Sequence, residues 1–206
     1  PGLDAMPATA IWPDWLARRF DEDLGPDAAE QLARHQLAEP PLFLSARSDA
    51  AEIARHTGGD LMESGSVRLK GAAIESLPGF ETGDWWVQDA AAALPAKLLA
   101  AGPGEHVVDL CAAPGGKTLQ LAATGARVTA VDRSKPRLER LKENLDRTGL
   151  SADVVAADAD TWRPPEQVDK LLLDAPCSAL GTLRRHPEGA WIKRETEIDR
   201  FPAAQA

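Results

Sequence analysis

Four aspartates and two cysteines are the side chains of this sequence whose placement suggests chemistry. Asp109 opens the stretch Asp109-Leu110-Cys111-Ala112-Ala113-Pro114-Gly115-Gly116-Lys117-Thr118, where an apolar run gives way to small residues, a proline and paired glycines. Asp132 closes a second apolar run, Arg127 to Val131, and Asp158 closes a third, Asp153 to Ala157. Asp174 closes a fourth, Val168 to Leu173, and leads into Ala175-Pro176-Cys177-Ser178. Gly115 and Gly116 can take backbone angles closed to other residues and let a ligand approach the main chain, while the amides of a helix starting there favour negative charge. A carboxylate at the end of the next strand is where a doubly wound fold holds a ribose. The glycine pair alone also fits an ordinary strand-to-helix turn, and one aspartate an ordinary cap; four in series argue for a nucleoside site.

Near misses decide which nucleoside. A phosphate-cradling loop ending in Gly116-Lys117-Thr118 needs glycine five positions before Gly116, where Cys111 stands. A dinucleotide fingerprint needs three spaced glycines, yet Ala112, Ala113 and Pro114 fill the loop and leave no seat for a pyrophosphate. S-adenosylmethionine, a nucleoside without phosphates, fits better.

These residues must be positioned by alternating strands and helices. The run His106 to Leu110 predicts a strand, Leu119 to Ala123 a helix and Arg127 to Val131 a second strand. Ser134 as N-cap, Pro136 in the first turn and Leu138, Leu141 and Leu145 on one face predict a helix that Gly149 ends. Strands at 153–157 and 168–173 complete a parallel sheet with Asp109, Asp132, Asp158 and Asp174 on one rim. Before it, helices over 12–20 and 27–37, a strand at 42–44, a helix from Asp49 to about His56 and a strand at 67–70 predict a small α+β unit. Trp85 and Trp86 would face opposite sides of an extended segment, so at least one anchors packing. A helix over 90–101 follows. The expected boundary lies near Pro78, giving domains 1–78 and 79–206.

The chain has 206 residues, 44% hydrophobic, and a net charge of -9. That charge argues against nucleic-acid binding through the bulk field, so any such binding must be local. Arg184, Arg185, Lys193 and Arg194, facing only Glu188, form the one basic stretch suited to RNA phosphates; a solvated loop is the alternative. No apolar run approaches a membrane span and the start lacks a secretory pattern, so a cytoplasmic protein is expected. The two cysteines each sit inside a motif, without disulfide-scaffold or metal-ligand spacing, and no metal is expected. The absence of an initiator methionine at Pro1 suggests processing or a cut from a longer chain.

The stretch Asp109 to Thr118, the approach Pro78-Gly79-Phe80 to Gln88-Asp89, and Asp174-Ala175-Pro176-Cys177-Ser178 followed by Gly181 and Arg184-Arg185-His186-Pro187 together resemble the bacterial Sun (Fmu) ribosomal-RNA cytosine-5 methyltransferases, relatives of the nucleolar Nop/Sun proteins. The resemblance runs from about Trp12 to the end. It implies a Rossmann-like S-adenosylmethionine-dependent α/β domain, with an incomplete sheet, preceded by a small α+β subdomain of RNA-binding type. It also implies cofactor contacts from Cys111, Ala112, Ala113, Pro114, Gly115, Gly116 and Lys117, with Asp132 on the ribose, Asp158 near the adenine and Asp174 at the junction of cofactor and base. Ribosomal RNA, expected to be the small-subunit species, would meet Arg184, Arg185 and His186, and the protein would act as a monomer.

Carbon 5 of cytosine becomes nucleophilic once a thiolate adds at carbon 6, so the family's chemistry requires a cysteine. Its attacking cysteine lies in a Thr-Cys-Ser motif after a fifth strand, and the chain reaches Ala206 before such a motif, which suggests a fragment. Cys177 then matches the assisting, product-releasing cysteine, with Asp174 beside it. A family segment Pro-x-x-Leu-Arg-x-Asn, where the resemblance implies an RNA contact, reads Pro41-Leu42-Phe43-Leu44-Ser45-Ala46-Arg47 here, departing from that contact's pattern at Ser45 and Arg47. Two other readings stay open. One is exocyclic-amine methylation, which generally uses an Asp/Asn-Pro-Pro-aromatic loop where this chain has Asp174-Ala175-Pro176-Cys177; the other is an RNA- or cofactor-binding module without catalysis.

Overall fold

The computed structural model describes residues 6–71 and 73–205. Their contacts divide the chain into two compact units, one formed by Pro1–Pro40 with Pro176–Ala206 and the other by Pro41–Ala175.

In the first unit, α1 (Asp14–Leu24) and α2 (Pro26–Leu37) meet at Gly25, which ends one helix and begins the next. Its φ of +83° is open to glycine at no steric cost, and Pro26 takes the first-turn position that needs no amide hydrogen. Trp12, Leu16, Ala29 and Ala33 form a core with Leu183 and Ala190 from the later segment. That segment contains a single turn at Leu180–Thr182 and short helices at Gly189–Ile192, Glu195–Ile198 and Phe201–Gln205.

The second unit holds two sheets. An antiparallel one orders β1 (Leu42–Ala46), β2 (Asp60–Leu61), β3 (Val67–Leu69) and β4 (Trp85–Val87) as β2-β3-β1-β4, with α3 (Ala50–Thr57) between β1 and β2. Asp49 caps α3, accepting from the amides of Ala51 and Glu52, as a start signal there requires. After α4 (Ala90–Leu99), a parallel sheet orders β5 (His106–Leu110), β6 (Arg127–Asp132), β7 (Asp153–Ala156) and β8 (Lys170–Leu173) as β7-β6-β5-β8. α5 (Gly116–Ala123) joins β5 to β6, and α6 (Lys135–Thr148) joins β6 to β7. Leu138, Leu141 and Leu145 are the buried stripe of α6, and Gly149 caps it with φ +63°. Ser134 occupies the N-cap but its side chain makes no capping bond; the Asp132 carboxylate takes the Ser134 amide instead, at 2.8 Å.

The sequence division at residue 78 falls inside the second unit, and the two tryptophans give the reason. On β4, Trp85 enters the core of Leu44, Ile53, Val67 and Leu69, while Trp86 faces the other way and enters the core of Leu119, Leu138, Leu141 and Leu145. Both are buried, at 0% and 3% exposure. Two arginines tie the same seam. Arg47 donates to the Thr148 carbonyl at 2.8 Å and to Asp84 at 3.1 Å, and Arg147 donates to the carbonyls of Phe80 and Trp85 while lying 4.6 Å over the Phe80 ring. Among the described residues no helix is long and apolar enough to cross a membrane.

Candidate functional site

The loop after β5 is held open by a specific set of bonds. The Ala112 amide donates to the Val131 carbonyl, and the Ala113 amide to Asp132 Oδ2 at 3.1 Å. The Arg137 guanidinium donates to the Ala113 carbonyl, and Asn144 to that of Pro114 at 3.4 Å. Gly115 then takes φ +108°, and α5 begins without any side-chain cap. The first amides of α5 therefore present themselves at the carboxyl edge of the sheet, where a nearby negative or lone-pair-bearing group gains most. Gln88 buttresses the start of α5 from behind: a Cβ on Gly116 would lie 3.4 Å from its amide. Gln88 is itself fixed, accepting from the Trp86 indole at 3.0 Å and donating to Gln120 at 2.7 Å.

Three of the four expected rim carboxylates behave differently from one another. Asp132 is buried, and its two oxygens already accept the amides of Ala113 and Ser134, with Arg137 at 3.8 Å. Its first duty is to lash the loop to β6; a carboxylate has about four acceptor positions, so two are not filled by these amides. Asp174 is exposed and pairs with Lys117 at 2.6 Å, closing the gap between β8 and α5. Asp158 lies beyond β7 at the same edge, exposed, and accepts the Asp160 amide in a turn. The register, with Leu110 beside Val131 and Leu173, and Asp132 beside Ala156, is what gathers these tips.

Asp109 does not sit on the rim. It lies one residue inside β5, 1% exposed, with Oδ2 accepting from Thr118 at 2.6 Å and Oδ1 without a partner. Burial pushes its carboxyl up to about 6, outweighing the opposing Thr118 bond and Lys117 charge, and the Asp174 and Asp132 charges add to the rise. The Cys111 thiol is likewise pushed up, by burial first and then by Asp132, Asp109 and Asp174 against an opposing Arg133 charge, which is the reverse of what activates a cysteine.

The raised carboxyl has a consequence for stability. The folded chain holds the Asp109 proton up to about pH 6 while the unfolded chain releases it near pH 4, so its contribution is most favourable below pH 4 and is lost as pH rises through 6. In Asp109→Asn that loss disappears. Urea denaturation is expected to show the variant gaining about 2–3 kcal/mol relative to the parent between pH 4 and pH 7.

The second motif belongs to the other unit. Cys177 is exposed and accepts the Ala179 amide at 3.4 Å, and the Pro176 carbonyl accepts from Gln205 at 2.6 Å. Arg184 and Arg185 are half-buried; one Arg184 nitrogen reaches the Glu39 carbonyl at 3.5 Å, and His186 lies 3.2 Å from Glu188. Among the described residues no group of His, Cys, Asp and Glu could hold a metal. Sequence reasoning named Thr118, Gln88 and Arg47 only as members of motifs, without their bonds, and did not single out Arg137 or Arg147, whose partners are distant in the chain.

With this geometry, comparison with known proteins is informative. Ribosomal RNA small subunit methyltransferase B of Serratia proteamaculans is 39% identical over 212 residues, covering 95% of this chain and 49% of that protein. The chain thus spans about half the length of the curated relatives it matches. The crystal structure of PH0851 superposes with a TM-score of 0.86 at 29% identity, covering all of this chain and 50% of that one. NSun6 from Pyrococcus horikoshii with SFG superposes at 0.79 with 18% identity, covering 95% of this chain and 78% of that one. The parallel sheet expected from the strand–helix alternation, and the Rossmann-like methyltransferase fold that the family resemblance implies, are the fold of residues 106–173. The model of the family 16S rRNA methyltransferase RsmB/F matches residues 96–206, and the chain belongs to that family.

Proposed function

We propose that the chain binds S-adenosylmethionine at the carboxyl edge of the parallel sheet, and that the protein transfers a methyl group to carbon 5 of a cytosine in small-subunit ribosomal RNA in the cytoplasm. The observation that carries this reading is the uncapped start of α5 behind Gly115, flanked by Asp132 and the Lys117–Asp174 pair. The residues fit a zwitterionic nucleoside: free amides for its carboxylate, acids for its ammonium and hydroxyls, and a buried Asp109 oxygen still lacking a partner. Cys111 to Lys117 would line the cofactor, Asp132 would take the ribose with its remaining lone pairs, and Asp158 would stand near the adenine.

When bound, S-adenosylmethionine supplies an electrophilic methyl group. The chain's own part is to hold and orient it, and the raised thiol of Cys111 disfavours the thiolate that would compete for the methyl. Cys177, by the family resemblance, assists release of the methylated base, with Asp174 close to it in the chain. Arg184, Arg185 and His186 are proposed to meet RNA phosphates locally, against the net charge of -9.

Two measurements test this. Calorimetric titration should give saturable, one-site binding of S-adenosylmethionine to the chain. The longest natural form of the protein, incubated with labelled cofactor and small-subunit RNA, should place the label on carbon 5 of a cytosine; label on an exocyclic amine would overturn the assignment.

A further inference from the structure

A cavity in the 41–175 unit, lined by the later part of α5 and not by its start, has the chemistry of an anion site. It measures about 280 Å³ and is lined by Ser45, Arg47, Ser48, Lys97, Gln120 and Thr124, with alanines and Gly65 forming the rest of its wall. In a chain of net charge -9, no carboxylate lines this cavity among the described residues. Two cations and three hydroxyls do.

Ser45 supplies the independent sign of a missing ligand. It is 4% exposed, and its hydroxyl has no hydrogen-bond partner. β1 alternation explains where it faces: Leu44 enters the antiparallel sheet's core, so Ser45 must face the opposite side, towards the cavity it lines. A buried hydroxyl left unbonded is costly and calls for an explanation. Lys97, on α4, donates to the Ser64 carbonyl, and no carboxylate pairs with it among the described residues; burial alone pulls its ammonium down. Arg47 spends two of its five N–H groups on Thr148 and Asp84 and keeps the others. Asp84 balances Arg47, so Lys97 carries the uncompensated charge.

We propose that this cavity binds a phosphate group, with Lys97 and Arg47 neutralising it and Ser45 donating to one of its oxygens. The lining donors come from a strand, the turn after it and a helix, a spread of origins that suits a tetrahedral oxyanion better than a planar carboxylate. The phosphate belongs either to a free nucleotide or to an RNA backbone, and the latter source alone rests on the function proposed above.

Amide chemical shifts of the ¹⁵N-labelled chain separate these. Inorganic phosphate, cytidine 5′-monophosphate and an oligocytidylate are each titrated at constant ionic strength against a chloride control. Shifts at Ser45 to Ala50, Gly65 and Lys97 are expected, with affinity about tenfold weaker in Lys97→Glu. Ser45→Ala should raise the melting temperature, by removing the orphan hydroxyl, and also weaken binding; a serine with only a packing role would do the first alone. Shifts with phosphate and the mononucleotide assign a free ligand, and shifts with the oligonucleotide alone assign an RNA backbone. Silence in all three titrations, or shifts unchanged in Lys97→Glu, would overturn the site. A parallel S-adenosylmethionine titration keeps the two failures apart, since binding there with silence here leaves the methyltransferase reading standing.

Discussion

Gly115→Ala is expected to weaken S-adenosylmethionine binding about a hundredfold, or about 2.7 kcal/mol, and to destabilise the fold by about 2–4 kcal/mol. The residue sits at φ +108°, where a side chain is strained, and an added Cβ would lie 2.9 Å from Leu141 Cγ. Leu141 is fully buried among Leu138, Leu145 and Trp86 and has no room to retreat. The loop must then move, and with it the first amides of α5. Gly104→Ala isolates strain from overlap: φ there is +85°, but a Cβ meets nothing within 4 Å. That control should cost only about 1 kcal/mol and leave affinity unchanged. Calorimetry and urea denaturation read both quantities; unchanged affinity in Gly115→Ala would place the cofactor elsewhere.

Trp86→Ala should cost about 3–5 kcal/mol in urea denaturation. The indole fills the space beneath Ala112, Ala113 and Leu119, and its N–H orients Gln88, which in turn backs Gly116. Losing it opens a cavity under the cofactor loop and frees Gln88 from one of its partners. Trp85→Ala removes as large a ring, but from the core of Leu44, Ile53 and Val67, where its N–H meets the Pro78 carbonyl. The two variants should lose similar stability, while only Trp86→Ala also loses affinity for S-adenosylmethionine. Equal affinity in both would sever β4 from the site.

The contrast between these tryptophans shows what the sequence discloses. Alternation along an extended strand is local, so their opposite orientations were legible; that both are buried depends on the antiparallel sheet with α3 on one side and on α5 and α6 on the other, which are far apart in the chain. The same holds for the acids. Strand–helix alternation placed Asp132, Asp158 and Asp174 at one edge because strand ends are local events. Nothing local says that Asp109 stops one residue short of the edge and turns under the loop to Thr118, or that Asp132 is engaged by two backbone amides. β2, with two residues, and β4, with three, are too short for a periodic signal and exist through their pairing with β3 and β1. The division at residue 78 followed a turn-rich stretch, whereas compactness follows Trp86 and the arginines that bridge it.

Among the described residues β8 pairs with β5 on one side only, and its Leu171 and Leu173 are 49% and 55% exposed. Such a border is a template: one row of backbone donors and acceptors awaits a complement, and greasy side chains beside it reward whichever polypeptide arrives. An added ribbon, from the same molecule or another, would both quench those groups and cover the leucines. The side of the sheet farthest from β7 is thus where a further strand would find the most to bond.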